Sequence, residues 1–319
     1  MKQKPIIILD EHPNWLEPLY SALTQRGVVY RKIDISSAIF DPSQKDDDTL
    51  YVNRFSPSSA KRGHEKSAGF ILNYLLHLEN QNLKVINGSH TVLLETSKAY
   101  QASLLESLRI PHPKTAVVND AKKLLEYIGD FSFPIVIKPN CGGSGMGIQK
   151  FANREEVENA TMQNILQTSS DGILLLQEFI QPKDGYIVRV ETINKKVVYG
   201  MKVYTQDTFN LCPSESCDLS RRTDVPLDMG YCVANSSPNV SFELYKNLPK
   251  DIILSIENLV EKANLDIAGI EYVVDKNGNW YVYDINALSI LRATFKEEYG
   301  IDGWGILADF LVSEYKKII

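Results

Sequence analysis

A glycine-rich segment that follows a lysine is the strongest chemical signal in the sequence. Residues 138–147 read KPNCGGSGMG, so Lys138 ends an apolar run and four glycines follow it. Glycines let backbone amides approach phosphates closely and adopt positive φ angles. The segment is neither a P-loop, since Ile148 follows Gly147, nor a dinucleotide fingerprint, since β-branched residues follow in place of a helix. We predict a flap over phosphates; a flexible hairpin with a surface lysine is the alternative.

A second signal is a predicted hairpin near the end of the chain that gathers oxygen ligands. The Asn-Gly pair at residues 277–278 is typical of a two-residue turn, which places Glu271 opposite Asp284 on one face of the sheet. Asn286 lies two residues further along and points the same way. Facing carboxylates repel each other unless a cation lies between them, and such ligands suit Mg²⁺ held jointly with phosphates. A solvated sheet edge and a slipped register are the alternatives.

The composition is that of an ordinary globular protein and excludes several classes of function. The 319 residues are 44% hydrophobic and 23% charged, with a net charge of −6. Nucleic-acid-binding domains normally carry a basic excess, which this sequence lacks. No stretch approaches the ~18 apolar residues of a membrane span, and the apolar run at residues 6–9 is too short for a signal peptide. Four cysteines are too few for a disulfide scaffold, so we expect a cytoplasmic protein.

Short apolar runs alternate with amphipathic segments and predict the elements that must position these residues. Strands are predicted at residues 5–9, 28–33, 50–52, 84–86, 115–118, 135–138, 148–151, 173–177, 187–193, 196–204, 269–275 and 280–285. Helices are predicted at residues 15–25, 68–79, 99–108, 121–128, 155–166, 252–263 and 305–319. The β-α-β order at the start favours an α/β domain there. Residues 205–239 are predicted to form a long irregular loop, which is usually functional or mobile.

Several motifs, taken in their order along the chain, resemble the ATP-grasp superfamily. The branch they resemble most contains the ribosomal-protein glutamate ligases and bacterial glutathione synthetases. The motifs are SK at residues 97–98, IPHPKT at 110–115, FPIVIKP at 133–139, LQEFI at 176–180, AGIE at 268–271 and DINA at 284–287. The resemblance runs from about Val85 to Arg292. No single motif identifies the superfamily, but the six motifs in this order are specific to it.

The resemblance implies an architecture and a reaction. It implies an α+β ATP-grasp fold, in which two α+β lobes sandwich ATP, preceded by an N-terminal α/β domain. The corresponding divisions are residues 1–93, the lobe with the glycine-rich flap at 94–176, and the lobe with the metal site at 177–319. The implied reaction joins a carboxylate to an amine. ATP phosphorylates the carboxylate to an acylphosphate, and the amine then displaces phosphate.

The resemblance also implies which residues bind the nucleotide. Lys98 and Lys138 would contact the ATP phosphates, and the glycine-rich backbone would cover them. The whole nucleotide set would be Lys98, Lys138, Gly143, Ser144, Gly145, Met146, Gly147, Gln177, Glu178, Phe179, Ile180 and Asp184. Lys98 is alternatively a surface lysine, and Glu178 a solvent-exposed strand end. Relatives often carry the ribose-binding acid at the position where this chain has Ile187. Asp184 is the acid nearest to that position, so it is the candidate for the ribose contact.

Catalytic and metal-binding residues are implied in the same way. Arg189 would stabilise the transferring phosphoryl group, unless it forms a surface ion pair with Glu191. Lys202 and Arg292 are further catalytic candidates. The ligands of Mg²⁺, or of Mn²⁺ in its place, would be Glu271, Asp284 and Asn286.

Two further predictions concern the substrate. Arg54 follows a strand of the predicted N-terminal sheet, where open α/β sheets bind ligands, so it is a candidate for a substrate carboxylate or else a structural arginine. Relatives often have R-x-N-L where this chain has Thr208 followed by Phe-Asn-Leu. Asn210 is therefore a substrate candidate without its arginine, which Arg221, Arg222 or Arg292 could replace. The loose spacing of Cys212, Cys217 and Cys232 favours free cysteines over a zinc site.

The sequence therefore predicts an ATP-dependent carboxylate–amine ligase with ATP and Mg²⁺ as cofactors. The substrates would be a carboxylate and an amine, each a small molecule or a peptide. Neither nucleic acid nor membrane is expected as a partner, and a homo-oligomer stays open. The alternatives are a carboxylate kinase or thiol ligase on the same fold, and a non-catalytic nucleotide-binding regulator.

Overall fold

The N-terminal part of the chain forms a parallel sheet. The computed structural model describes residues 4–12, 14–143, 145, 147–205 and 240–318. The strands are β1 (Ile6–Asp10), β2 (Tyr30–Asp34), β3 (Leu50–Asn53) and β4 (Lys84–Ile86), in the order β2-β1-β3-β4. The helices are α1 (Glu17–Gln25), α2 (Ser67–Asn80) and α3 (Ser89–Glu95). Residues of β1 alternate between two hydrophobic clusters, one shared with α1 and one with α2, so the strand is buried on both faces.

The middle of the chain forms an antiparallel sheet that holds the glycine-rich segment. Its strands are β5 (Thr115–Val118), β6 (Ile135–Pro139), β7 (Gln149–Phe151) and β8 (Leu174–Glu178), in the order β5-β8-β6-β7. Its helices are α4 (Lys98–Ser107), the short α5 (Leu124–Tyr127) and α6 (Arg154–Met162). The predicted helix at 155–166 ends early, because Asn164 adopts a positive φ of 53°.

The C-terminal part forms a second antiparallel sheet. Its strands are β9 (Tyr186–Ile193), β10 (Lys196–Thr205), β11 (Val240–Leu244), β12 (Ile267–Val274) and β13 (Trp280–Asn286), in the order β11-β10-β9-β12-β13. The helices are α7 (Lys250–Lys262), α8 (Thr294–Tyr299) and α9 (Gly303–Lys316). α7 packs on one face of this sheet through its apolar side. β11, α3 and α8 are elements that the sequence analysis did not predict.

The predicted elements are otherwise found close to their expected positions, and the expected α+β class is confirmed. None of the helices in the described ranges has the length and hydrophobicity needed to span a membrane. The three sheets fall mostly within the three predicted segments, although β8 extends two residues past the boundary predicted at residue 176. The division into domains stays a prediction.

The β12–β13 hairpin corrects one detail of the sequence analysis. Residues 275–279 form the loop between the strands, so the predicted two-residue turn is wrong. A β-bulge then shifts the register, because Tyr272 pairs with Val282 while Glu271 pairs with Asp284. The extra residue is Tyr283. The predicted pairing of Glu271 with Asp284 is therefore found, but the bulge produces it and the turn does not.

Asn87 joins the N-terminal sheet to the C-terminal sheet. It is fully buried, with a φ of 55°. Its side-chain oxygen accepts hydrogen bonds from the backbone N–H groups of Asp266 and Ile267, both at 3.0 Å. Its side-chain nitrogen donates to the carbonyl of Ile267 at 2.9 Å and to that of Ala287. One side chain thus fixes the end of β4 against the start of β12 and the end of β13.

We predict that Asn87→Ala destabilises the protein by about 3–5 kcal/mol, because it leaves several buried backbone groups without partners. Asn82→Ala is the matched control, since Asn82 is exposed and has a similar φ of 59°. The control should lose only the cost of positive φ, about 1–2 kcal/mol. Urea unfolding of both variants measures the difference, and equal losses would contradict this role of Asn87.

Candidate active site

Residues from both antiparallel sheets and from loops of the N-terminal part line one cleft of about 440 Å³. The N-terminal part contributes Trp15 and the loop after β3, including Ser56 and Ser58. The middle sheet contributes Lys138 and Gln177, and the remaining wall comes from β9, β12 and β13. The cleft therefore lies where the candidate nucleotide and metal residues of the sequence analysis meet.

Two lysines enter the cleft from different elements. The start of α4 is tied to the end of β6, since Lys98 N donates to Asn140 O at 3.0 Å and Ala99 N to Asn140 Oδ1 at 2.9 Å. The Lys98 ammonium forms an ion pair with the carboxylate of Asp284. The Lys138 ammonium is buried and donates to Gln177 Oε1 at 2.9 Å. The Asn140 link therefore brings both ammonium groups toward β13.

The electrostatics of these groups favour an anionic ligand at Lys138. Burial, together with the positive charge of Lys98, lowers the pKa of Lys138 to about 7. Burial opposes ionisation of Asp284, but the two lysines hold the pKa of that carboxyl below its ordinary value. In the described part of the chain no carboxylate contacts Lys138, whereas Lys98 has one, and a phosphate would supply the missing charge at Lys138.

Arg189 is the centre of a buried hydrogen-bonding network. Its guanidinium donates to Glu191 Oε1 at 2.7 Å, to Glu271 Oε1 at 2.7 Å and to Ser289 Oγ at 2.8 Å. The pair with Glu191 that was the alternative to a catalytic role is present, but it is buried rather than on the surface. The lack of a side chain at Gly269 leaves room for the guanidinium, because a Cβ there would lie 2.6 Å from Arg189 Nη2.

The three predicted metal ligands lie together in the cleft. Glu271 faces Asp284 across the hairpin, and Asn286 Nδ2 donates to Glu271 Oε1 at 3.2 Å. Tyr283, the bulge residue, donates to Glu271 Oε2 at 2.9 Å. Two carboxylates and an amide form an all-oxygen donor set, which fits a hard divalent cation. Within the described ranges no three His, Cys, Asp or Glu residues cluster as metal ligands, so the set depends on the amide of Asn286.

The predicted adenine residues also line the cleft. Gln177, Glu178, Phe179 and Ile180 follow one another at the end of β8 and all line the cleft. Gln177 Nε2 donates to Thr115 Oγ1 at 2.9 Å, which fixes the amide. The structure does not bring Asp184 to these residues, since its side chain is exposed and does not line the cleft.

The glycine-rich segment covers part of the cleft. Gly142, Gly143 and Gly145 line it, whereas Ser144 and Met146 lie outside the described residues. A Cβ on Gly143 would lie 3.4 Å from the Ser58 Cβ, so this backbone runs against the loop after β3. The segment therefore contacts the N-terminal part of the chain as well as the middle sheet.

Two predicted catalytic residues lie away from the cleft. Lys202 pairs with Val188, which packs against α7, so it lies on the opposite face of the sheet from Arg189. Its ammonium contacts Glu243 at 3.4 Å and cannot reach a ligand in the cleft. Arg292 is buried, with its guanidinium 4.3 Å from the ring centre of Phe242, and does not line the cleft either. The assignment of Lys202 is corrected, because a strand position does not fix which element covers its face; the catalytic role of Arg292 stays a prediction.

The substrate candidates have different outcomes. Arg54 is buried and donates to the backbone carbonyl of Ser289, and it does not line the cleft. Its Nε and Nη1 have no hydrogen-bond partner among the residues that the structure describes. Arg54 thus connects β3 to the loop after β13 rather than contacting the cleft directly. Asn210, with Cys212, Cys217, Arg221 and Arg222, lies outside the described residues.

Sequence reasoning missed several residues of the site. Glu95, at the end of α3, lines the cleft, and Trp15 and Ser58 do so from the N-terminal part. Ser289 belongs to the Arg189 network but was not singled out. The sequence did indicate one member of the network, Glu191, because it lies two residues from Arg189 on one strand and shares its face. The others depend on which loops meet, which no local pattern shows.

Comparisons with known proteins agree with this geometry. Residues 94–212 match the family model of the RimK-like ATP-grasp domain. The chain is 33% identical over 124 residues to the alpha-aminoadipate–LysW ligase LysX of Sulfurisphaera tokodaii, a match that covers 39% of this chain and 43% of that protein. It thus spans less than half the length of that curated relative.

Solved structures extend the likeness to nearly the whole chain. A RimK domain protein ATP-grasp from Sphaerobacter thermophilus has a TM-score of 0.68 at 17% identity, covering 96% of this chain and 98% of that one. The ATP-grasp ligase PsnB, complexed with a minimal precursor, has a TM-score of 0.66 at 16% identity, covering 98% and 99%. The fold is therefore the ATP-grasp fold. Residues 94–212 in addition match the RimK-like ATP-grasp domain, so the predicted resemblance is confirmed.

We predict that Gly269→Ala destabilises the protein by about 1–3 kcal/mol, because the new methyl group would displace the buried guanidinium of Arg189. Gly129→Ala is the control, since a Cβ at Gly129 meets no atom within 4 Å. Thermal unfolding should show a lower melting temperature for the first variant alone. A melting temperature equal to that of the control would mean that the network tolerates displacement.

Proposed function

We propose that this protein is an ATP-dependent carboxylate–amine ligase that forms ADP and an amide or peptide bond. The observation that supports this most is the arrangement of Lys98, Lys138 and Arg189 around the facing carboxylates of Glu271 and Asp284. Phosphoryl transfer to a carboxylate brings several negative charges together, and catalysis there is mainly positioning and charge neutralisation.

The proposed reaction has two steps. An oxygen of the acid substrate forms a bond to the γ-phosphorus of ATP as the bond to the ADP oxygen breaks, which gives an acylphosphate. The amine nitrogen then bonds to the acyl carbon, phosphate leaves, and the nitrogen releases a proton. Lys138 would hold the phosphates, and Arg189 would stabilise charge on the transferring group. A Mg²⁺ ion at Glu271, Asp284 and Asn286 would supply charge neutralisation; Mn²⁺ is an alternative.

The orientation of ATP follows from the two ends of the cleft. The backbone and side chains of residues 177–180 would hold the adenine, and the glycine-rich segment would cover the phosphates. The acid and amine would then occupy the end that Trp15, Ser56 and Ser58 line. Relatives and neighbours named as ligases of amino acids or peptides support substrates of that class. We place the reaction in the cytoplasm.

A screen tests this function directly. Amino acids and dipeptides are offered in pairs with Mg-ATP, phosphate and ADP release are measured, and products are identified by mass. An amide product with one ADP per bond is the expected result. Acylphosphate released without an amine would indicate a carboxylate kinase, and a thioester product a thiol ligase. Nucleotide binding without turnover on any pair would indicate a regulator.

We predict that ATP binding at pH 8 takes up a proton, because phosphates restore the ammonium form of Lys138, whose pKa is about 7. Lys138→Met should abolish the uptake and weaken ATP binding by about 10- to 100-fold, as for the loss of one charge-assisted hydrogen bond. Isothermal titration without metal, in buffers of different ionisation enthalpy, measures both. Lys123→Met, at an exposed lysine, is the control. Unchanged uptake in Lys138→Met would contradict the assignment.

We predict that Asp284→Asn and Glu271→Gln each lower turnover by about a thousandfold or more, since both remove charge from one cation site. The double variant should lose little more than either single variant, because the two acids serve one ion. Metal-free ATP binding should not weaken. Turnover against Mg²⁺ concentration is the measurement, with Asp251→Asn on α7 as the control. Full turnover in either variant would show the hairpin to be structural.

A further inference from the structure

Glu95 is a carboxylate at the substrate end of the cleft that the proposed mechanism does not use. It is the last residue of α3, is partly buried and lines the cleft. Its Oε2 accepts a hydrogen bond from the backbone N–H of Ala287, the residue after the metal candidate Asn286. The carboxylate is therefore held next to the reacting centre.

The described residues give Glu95 no ion-pair partner. Lys98 lies only three residues further along the chain, but its ammonium pairs with Asp284. Arg189 is bound by Glu191, Glu271 and Ser289. The cations near Glu95 are thus each directed to another acceptor, and a carboxylate in a cleft without a contacting cation favours a cationic ligand.

The surrounding charges support that preference. Burial raises the pKa of Glu95 to about 7, and the negative charge of Asp284 adds to the increase. The charge of Glu95 in turn acts on the guanidinium of Arg54, which belongs to the N-terminal part of the chain. Glu95 ends α3, a helix of the N-terminal part, so it enters the cleft from that part, as Trp15 and Ser58 do.

We propose that Glu95 binds the positively charged amino group of the amine substrate and positions that nitrogen beside the acylphosphate. The ammonium group gives up one proton to water before its nitrogen attacks the acyl carbon and phosphate leaves. This inference rests on the proposed function. Primary amines are largely protonated near pH 7, so the second substrate arrives as a cation. A single carboxylate oxygen that remains free beside a backbone hydrogen bond suits an ammonium group. It suits a second metal ion less well, because no three acids, histidines or cysteines of the described ranges cluster as ligands.

The test compares a charged and an uncharged nucleophile in Glu95→Gln. The glutamine oxygen can still accept the Ala287 N–H, so the loop after β13 keeps its contact. Hydroxylamine is largely uncharged at pH 7 and traps an acylphosphate as a hydroxamate, whereas an amine substrate is largely cationic there. The acid and amine with the highest turnover in the screen are used, with hydroxylamine replacing the amine in a parallel series. Glu106→Gln, at an exposed glutamate on α4, is the control.

The expected result separates the two nucleophiles. In Glu95→Gln the KM for the amine should rise roughly 10- to 100-fold, while hydroxamate formation and ATP affinity stay within about twofold of wild type. An equal loss with both nucleophiles would overturn the proposal in favour of a structural role for Glu95. A raised Mg²⁺ requirement with both nucleophiles would overturn it in favour of a metal contact.

A second variant keeps the proposal testable if the first unfolds. Glu95→Asp retains the charge, so it should bind the amine better than Glu95→Gln but less well than wild type. An unchanged KM in both variants, with normal hydroxamate formation, would refute the role of Glu95 and leave the ligase function standing. If no acid gives a hydroxamate with the wild-type protein, the ligase function fails and this inference fails with it.

Discussion

The buried guanidinium of Arg189 is the interaction on which the rest of the cleft depends. A charge in such a position is stable only when it is paired and fully hydrogen-bonded, and Glu191, Glu271 and Ser289 together provide this. The pairing fixes Glu271 on β12, and through the hairpin it fixes the face on which Asp284 lies. The absence of a side chain at Gly269 follows from the same requirement, since the guanidinium occupies that space.

The same cleft requires three sheets to meet at defined positions, and buried amides provide that. Asn87 satisfies backbone groups of β12 and of the segment after β13. Gln101, on α4, does the same for Ile285, with bonds of 2.9 and 3.1 Å. Unsatisfied backbone groups are costly inside a protein, so each amide selects one placement of its element. The positions of Lys98 and Asp284 relative to each other follow from these links.

Sequence patterns predicted the parts of this site that depend on local order. The strand alternation that places Arg189 and Glu191 together, and the hairpin that brings Glu271 to Asp284, are local. The hairpin prediction reached the right pairing through a wrong turn, because the bulge at Tyr283 has no marker in the sequence. The catalytic assignment of Lys202 is wrong, because its side chain lies on the side of the sheet that α7 covers and the sequence does not show which side that is. Glu95 and Asn87 were missed because the partners of their side chains are 179 or more residues away, and only the assembled fold reveals them.

The ion pair between Lys98 and Asp284 has a consequence for how the proposed ligands would bind. A phosphate alone would compete with Asp284 for the lysine, and a cation alone would compete with Lys98 for the carboxylate. Each would therefore leave one buried charge without its partner, which is unfavourable in a cleft of low dielectric. A cation–phosphate complex carries both charges, so it replaces the ion pair on both sides at once. In the proposed site this arrangement would favour joint binding of Mg²⁺ and ATP over either one alone, because the metal ion would then enter together with the phosphates that it serves.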